Sequence, residues 1–139
     1  MKKLIIPMFL VCLGFCLQLS TNAIAQKKDG AAFKFKDGDT FDFGEVPMGD
    51  DVFHDFIFTN AGNAPLIITD ANPSCSCTTP VWDKAPVMPG QTGKINVGYK
   101  TKDHPGPFNK EVFITSNATN NPNGEKRYTI YIKGTVKTK

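Results

Sequence analysis

Helical periodicity is missing from this chain. Beyond residue 25 no segment repeats apolar side chains at i, i+3 and i+4 over several turns, which excludes helix bundles and alternating strand–helix folds. Arginine occurs once, at Arg127, and the aromatic residues do not interleave with basic ones, so no nucleic-acid-binding surface is expected. Glycine-rich phosphate loops and dinucleotide fingerprints are absent from the sequence. Histidine is scarce too, with only His54 and His104. A serine or cysteine nucleophile needs a histidine base and an orienting acid within hydrogen-bond reach. His54 falls in alternation with Phe56 and Phe58, which predicts a sandwich-edge or partly buried side chain. His104 precedes Pro105-Gly106 and reads as part of a solvated turn. The paired carboxylates Asp50-Asp51 follow Met48-Gly49 and read as ordinary turn residues. No catalytic residue is assigned, and the chain is expected not to be an enzyme.

Long hydrophobic runs are confined to the start. Lys2 and Lys3 precede an almost wholly apolar stretch over residues 4–19, and Ala23-Ile24-Ala25 offers the small residues a signal peptidase reads. Residues 1–25 are therefore predicted to be a cleaved signal peptide with Gln26 as the new N-terminus. A retained membrane anchor needs roughly 20 apolar residues, and this run is shorter. Val11 and Phe15 are too bulky to precede a lipidated cysteine at Cys12 or Cys16. The expectation is an exported protein, periplasmic or extracellular, with no membrane insertion after cleavage. About 114 residues remain, enough for one compact domain. Losing Lys2 and Lys3 brings the formal charge from +3 to near +1, so the precursor's basicity points to no anionic partner.

What is abundant is short alternating runs. Phe33 and Phe35 alternate with lysines. Phe41, Phe43 and Val46 follow, then Val52, His54, Phe56 and Phe58 on one side of the next run. Leu66 to Thr69 and Thr78 to Trp82 come next. Ile95, Val97 and Tyr99, then Val112 and Ile114, then Tyr128, Ile130 and Ile132 complete the series. Breaks at Pro47-Met48-Gly49, Asn60-Ala61-Gly62-Asn63, Pro89-Gly90, Pro105-Gly106-Pro107 and Asn121-Pro122-Asn123-Gly124 separate them. The pattern predicts an all-β, immunoglobulin-like two-sheet sandwich of about seven strands over residues 33–139, behind a loose lead over 26–32. A closed barrel of similar size is the alternative.

Cys12 and Cys16 leave with the signal peptide, and Cys75 and Cys77 remain in a compartment where disulfides persist. In extended chain, residues i and i+2 face the same side. Two converging thiolates suit Cu(I) or Zn(II), although a closed structural zinc site takes four ligands. A disulfide across one residue closes a small ring, and strained disulfides are the exchange-active ones. For exchange the one candidate cation nearby is Lys84. A purely structural pair is the third alternative and the favoured one. Trp82 is expected in the core, and Asn117-Ala118-Thr119 matches a glycosylation acceptor that is expected to be idle.

Phe43-Gly44-Glu45-Val46, Asn60-Ala61-Gly62, Pro65-Leu66, Ser74-Cys75-Ser76-Cys77-Thr78, Met88-Pro89-Gly90, Gly106-Pro107-Phe108-Asn109-Lys110, Ser116-Asn117 and Gly134-Thr135-Val136 occur in that order. From about Phe41 to Val136 the chain thus resembles the bacterial exported family called domain of unknown function 1573. The resemblance implies an immunoglobulin-like fold and brings no agreed activity. The family's cysteine phrase has glycine where this chain has Ser76. Three functions are open. The first is a non-catalytic binding or structural module that meets another envelope protein, through end loops (47–51, 71–77 or 101–109) or by adding a strand at an open edge. The second is a copper binder at Cys75 and Cys77, and the third a thiol–disulfide exchange protein.

Overall fold

The computed structural model describes residues 29–138; the predicted signal peptide lies outside them. Among these residues eight strands form: β1 (Phe33–Phe35), β2 (Thr40–Pro47), β3 (Val52–Asn60), β4 (Ile68–Pro73), β5 (Thr78–Trp82), β6 (Thr92–Tyr99), β7 (Gly106–Ser116) and β8 (Arg127–Lys137). A 3-10 turn at Pro122–Gly124 precedes β8. The strands make two four-stranded sheets, ordered β1-β3-β6-β5 and β2-β8-β7-β4. The sandwich prediction holds, with one strand more than the count of about seven. The two sheets are separate, so the chain is not the closed barrel kept as the alternative. Among the described residues no helix is long and apolar enough to cross a membrane.

Period-two alternation places one side of each strand between the sheets. Phe56, Phe58, Ile95 and Val97 from the first sheet meet Val112, Ile114, Ile130 and Ile132 from the second, all buried. Burying each such side chain contributes roughly 1.5–3 kcal/mol. Phe33, Phe35, Phe58 and Tyr128 pack as an aromatic group at one side of this core. All ladders are antiparallel except β2–β8, where Thr40 pairs with Tyr131 and Pro47 with Lys137 in parallel.

Three boundaries differ from the sequence reading. The lead expected to be loose over 26–32 is held at its end: Ala31 bridges Ala118, and both Ala31 and Ala32 are buried. Small side chains let this segment lie flat against the 60–63 turn. Gly106 and Pro107, read as a break, begin β7, because proline is tolerated in the first residues of a strand. Leu66 and Ile67 precede β4 rather than opening it. Leu66 is fully buried and bridges Val87 instead.

Candidate functional site

Most of the ordered phrases resolve into contacts that build the sandwich. Asn60 is fully buried, and its carboxamide makes four hydrogen bonds. Nδ2 donates to the carbonyls of Ala64 and Val87, both at 2.8 Å. Oδ1 accepts from the amides of Gly62 (3.0 Å) and Ala32 (3.3 Å). A Cβ on Gly62 would lie 2.8 Å from Ala31 Cα and closer still to the Gly30 carbonyl oxygen, so only glycine fits there. Gly44 has φ +65° and sits in the β2 register shift between Asp42 and Glu45, where its amide bonds Asp42 Oδ1. Asn117 donates to Pro65 O and accepts from the Ile67 amide, which extends the β4–β7 ladder with a side chain. The glycosylation match thus coincides with a carboxamide already engaged. Phe108 stacks on Tyr99 with ring centroids 3.9 Å apart.

The titratable candidates lie apart. His54 stacks on Phe41 (3.5 Å, 8°) and meets the edge of Phe56, which matches the expected partly buried position. Burial pushes its pKa below the ordinary 6.5, against the opposing pull of Asp55 and Asp37. His104 is exposed, with Nδ1 2.7 Å from Lys102 O. Asp50 and Asp51 are exposed turn residues, and the Asp50 carbonyl accepts from the buried Thr101 hydroxyl, which in turn accepts from the Gly49 amide. Trp82 packs against the core and donates Nε1–H to Ile68 O, while Lys84 Nζ sits 3.1 Å from the centre of its ring. The cation considered for the cysteines is therefore engaged with the indole.

Cys75 and Cys77 occupy the crossover from β4, at the edge of one sheet, to β5, at the edge of the other. They are joined by a disulfide with Cα atoms 5.3 Å apart. Cys77 is buried and belongs to the core; Cys75 is half-buried. The hydroxyl of Thr78, itself buried, lies 3.4 Å from Cys75 Sγ and 4.0 Å from Cys77 Sγ. Backbone bonds hold the crossover at both ends. The Ser74 amide bonds Glu111 O (2.8 Å), the Glu111 amide bonds Ser74 Oγ (3.0 Å), and the Lys100 amide bonds Cys77 O (2.8 Å). Ser76 stands exposed at the tip with an ordinary negative φ, so the turn has no need of the family's glycine. Among the described residues no three His, Cys, Asp or Glu side chains gather as a metal-ligand set. As a disulfide the pair presents no thiolate, so copper or zinc could bind there only after reduction.

The outer face of the β1-β3-β6-β5 sheet was not singled out by sequence. Phe53, Asp55 and Ile57 of β3 pair with Gly98, Asn96 and Lys94 of β6, and Thr79 and Val81 of β5 continue the rows. Phe53 is 62% exposed, Val81 59% and Ile57 40%. The Phe53 ring lies over Gly98, where a Cβ would come within 2.7 Å of it. Asp55 accepts from Asn96 (2.7 Å) and pairs with Lys94 (3.4 Å), and these two contacts, the amide first, lower its pKa. The exposed residues in the strand pattern could have revealed this face, since Phe53, Ile57 and Val81 occupy the phase opposite to the core.

The profile of the family described as "Protein of unknown function (DUF1573)" matches residues 33–136. No curated protein matches the chain. Among solved structures, a protein of unknown function from Porphyromonas gingivalis W83 superposes with a TM-score of 0.65 at 15% identity, covering 84% of this chain and 51% of that one. A PapD-like domain of human CEP192 superposes with a TM-score of 0.59 at 9% identity, covering 81% and 90%. The VesB protease of Vibrio cholerae does so with a TM-score of 0.58 at 18% identity, covering 74% and 31%. This chain thus spans about half of the first relative's length and about a third of the protease's. At such identities the likeness is one of fold.

Proposed function

Because the chain belongs to the DUF1573 family, whose description carries no activity, we propose that it is a non-catalytic binding module of the cell envelope, exported by its first 25 residues. The partner is another envelope protein, and it docks on the outer face of the β1-β3-β6-β5 sheet. One observation carries this reading: Phe53, Ile57 and Val81 are exposed together on that face around the Asp55–Lys94–Asn96 group. Exposed aromatic and aliphatic side chains clustered beside satisfied polar groups are the usual make-up of an interface centre.

The sheet edges suit strand addition less well. β1 is three residues long, β2 carries a register shift, β4 ends in Pro73, and Pro80 interrupts β5. Each device blunts an edge. A face, not an edge, is left for the partner. Photo-cross-linking residues at Phe53 and Val81 in the producing cell should give one shared adduct, lost in Ile57→Asp. Lys133, exposed on the opposite sheet, should give none. Adducts from position 133 alone, or from no position, would refute the docking face. Multiple turnover of hydrolase substrates by the purified protein would refute the non-catalytic assignment.

A second reading rests on the convergence of the two sulfurs. After reduction, Cys75 and Cys77 would offer a pair of soft ligands to Cu(I). Stoichiometric Cu(I) uptake by the reduced protein, lost in Cys75→Ser and in Cys77→Ser, is its test. Equal uptake by the double variant removes it.

A further inference from the structure

The Cys75–Cys77 disulfide holds nothing in place that is not already held. Its ring spans two positions in sequence, and closing so short a loop removes little freedom from the unfolded chain. The crossover is fixed by the Ser74–Glu111 and Lys100–Cys77 bonds and by the Thr78 amide on Cys75 O at 3.2 Å, none of which involves sulfur. The two sulfurs are also unequal. Cys75 is half-buried at an exposed tip, Cys77 lies in the core, and the single Thr78 hydroxyl reaches toward both. Access governs which sulfur of a disulfide is attacked, and of these two only Cys75 is open to a thiolate from solvent.

We propose that Cys75–Cys77 is a directional thiol–disulfide exchange site which accepts two electrons from a dithiol, with Cys75 as the sulfur attacked. The incoming thiolate bonds to Cys75 Sγ and breaks the Cys75–Cys77 bond, and the pair of electrons leaves on Cys77 Sγ. The Thr78 O–H turns to donate to that thiolate, which then takes the proton released by the dithiol. The dithiol's second sulfur, as a thiolate, attacks its own sulfur in the mixed disulfide, and Cys75 departs and is protonated in turn. One dithiol is oxidised to a disulfide and one protein disulfide is reduced to two thiols. Thr78 is a positioning residue. Its role is to stabilise whichever sulfur carries charge, and this chemistry is independent of the docking face.

The test uses the exported, folded protein. Reduced dithiothreitol should open the disulfide without urea, leaving the circular dichroism spectrum and melting temperature essentially unchanged. With reduced glutathione, rapid acid quenching and peptide mapping should find the mixed disulfide on Cys75 at least about tenfold more often than on Cys77. Thr78→Val should slow opening several-fold while the protein remains folded, and Thr78→Ser should restore it. Lys133 is exposed on the other sheet, and Lys133→Ala should leave opening unchanged. Opening is read on the purified protein with no partner present, so failure here is distinct from failure of the docking reading. A disulfide that opens only after unfolding overturns the proposal. So does glutathione found equally on both sulfurs, or a protein isolated from the envelope with two free thiols.

Discussion

Asn60 shows how one side chain can organise a turn. Its four bonds join the end of β3 to the lead, to Ala64 and to Val87. Asn60→Ala leaves buried amide and carbonyl groups without partners, and each such group costs about 1–3 kcal/mol. The expected loss is about 2–4 kcal/mol in urea unfolding, the range of a broken buried network; a loss below about 0.5 kcal/mol, typical of surface changes, would refute the hub. His54 makes a pH-dependent contribution. Its folded pKa lies below 6.5 because burial disfavours the charged ring, so the unfolded chain takes up the proton first. Stability is therefore full above pH 6.5, falls as the pH drops through it, and levels off below the folded pKa. His54→Phe keeps the stacking on Phe41 and should flatten the melting-temperature profile between about pH 7 and pH 5. An unchanged slope would assign the effect to other groups.

At the scale of elements, the edges are finished by side chains as well as by strand length. The carboxamide of Asn120 accepts from the Phe33 amide (2.9 Å) and donates to the Phe33 carbonyl (2.6 Å), as a neighbouring strand would. Asn120→Ala should cost about 1 kcal/mol, and the Phe33 amide should lose its hydrogen-exchange protection while Ile95 in the central strand keeps its own. Equal protection of Phe33 in both proteins would show that the edge is covered by something else. Such capping was not legible in the sequence, because an asparagine in a turn-rich segment looks the same whether it faces water or a strand. The strands themselves were legible wherever alternation was clean, as in Val52 to Phe58 and Tyr128 to Ile132. Their ends were not. Gly106-Pro107 looked like a break because local propensity outweighs a ladder that only the distant Thr135 and Val136 can supply. The cysteine pair was legible as a pair, whereas the unequal burial of its two sulfurs depends on which sheet each side of the crossover joins.

For the whole molecule, the order of strands in space sets how it assembles. Neighbours such as β2 and β8 lie nearly the full length of the domain apart in sequence. Domains dominated by non-local pairing fold in milliseconds to seconds. Refolding by dilution from urea, followed through the fluorescence of Trp82, the one tryptophan, should fall in that range. A microsecond phase carrying the full amplitude would contradict the topology.

The parallel pairing of β2 with β8 has a consequence for synthesis. The last strand brings Ile130, Ile132 and Val136, all buried, and it alone joins β2 to β7. A nascent chain that stops short of residue 127 has no partner for its first long strand and lacks a wall of its interior. Vectorial folding from the N-terminus therefore cannot complete the second sheet before residues Arg127–Lys137 have been made.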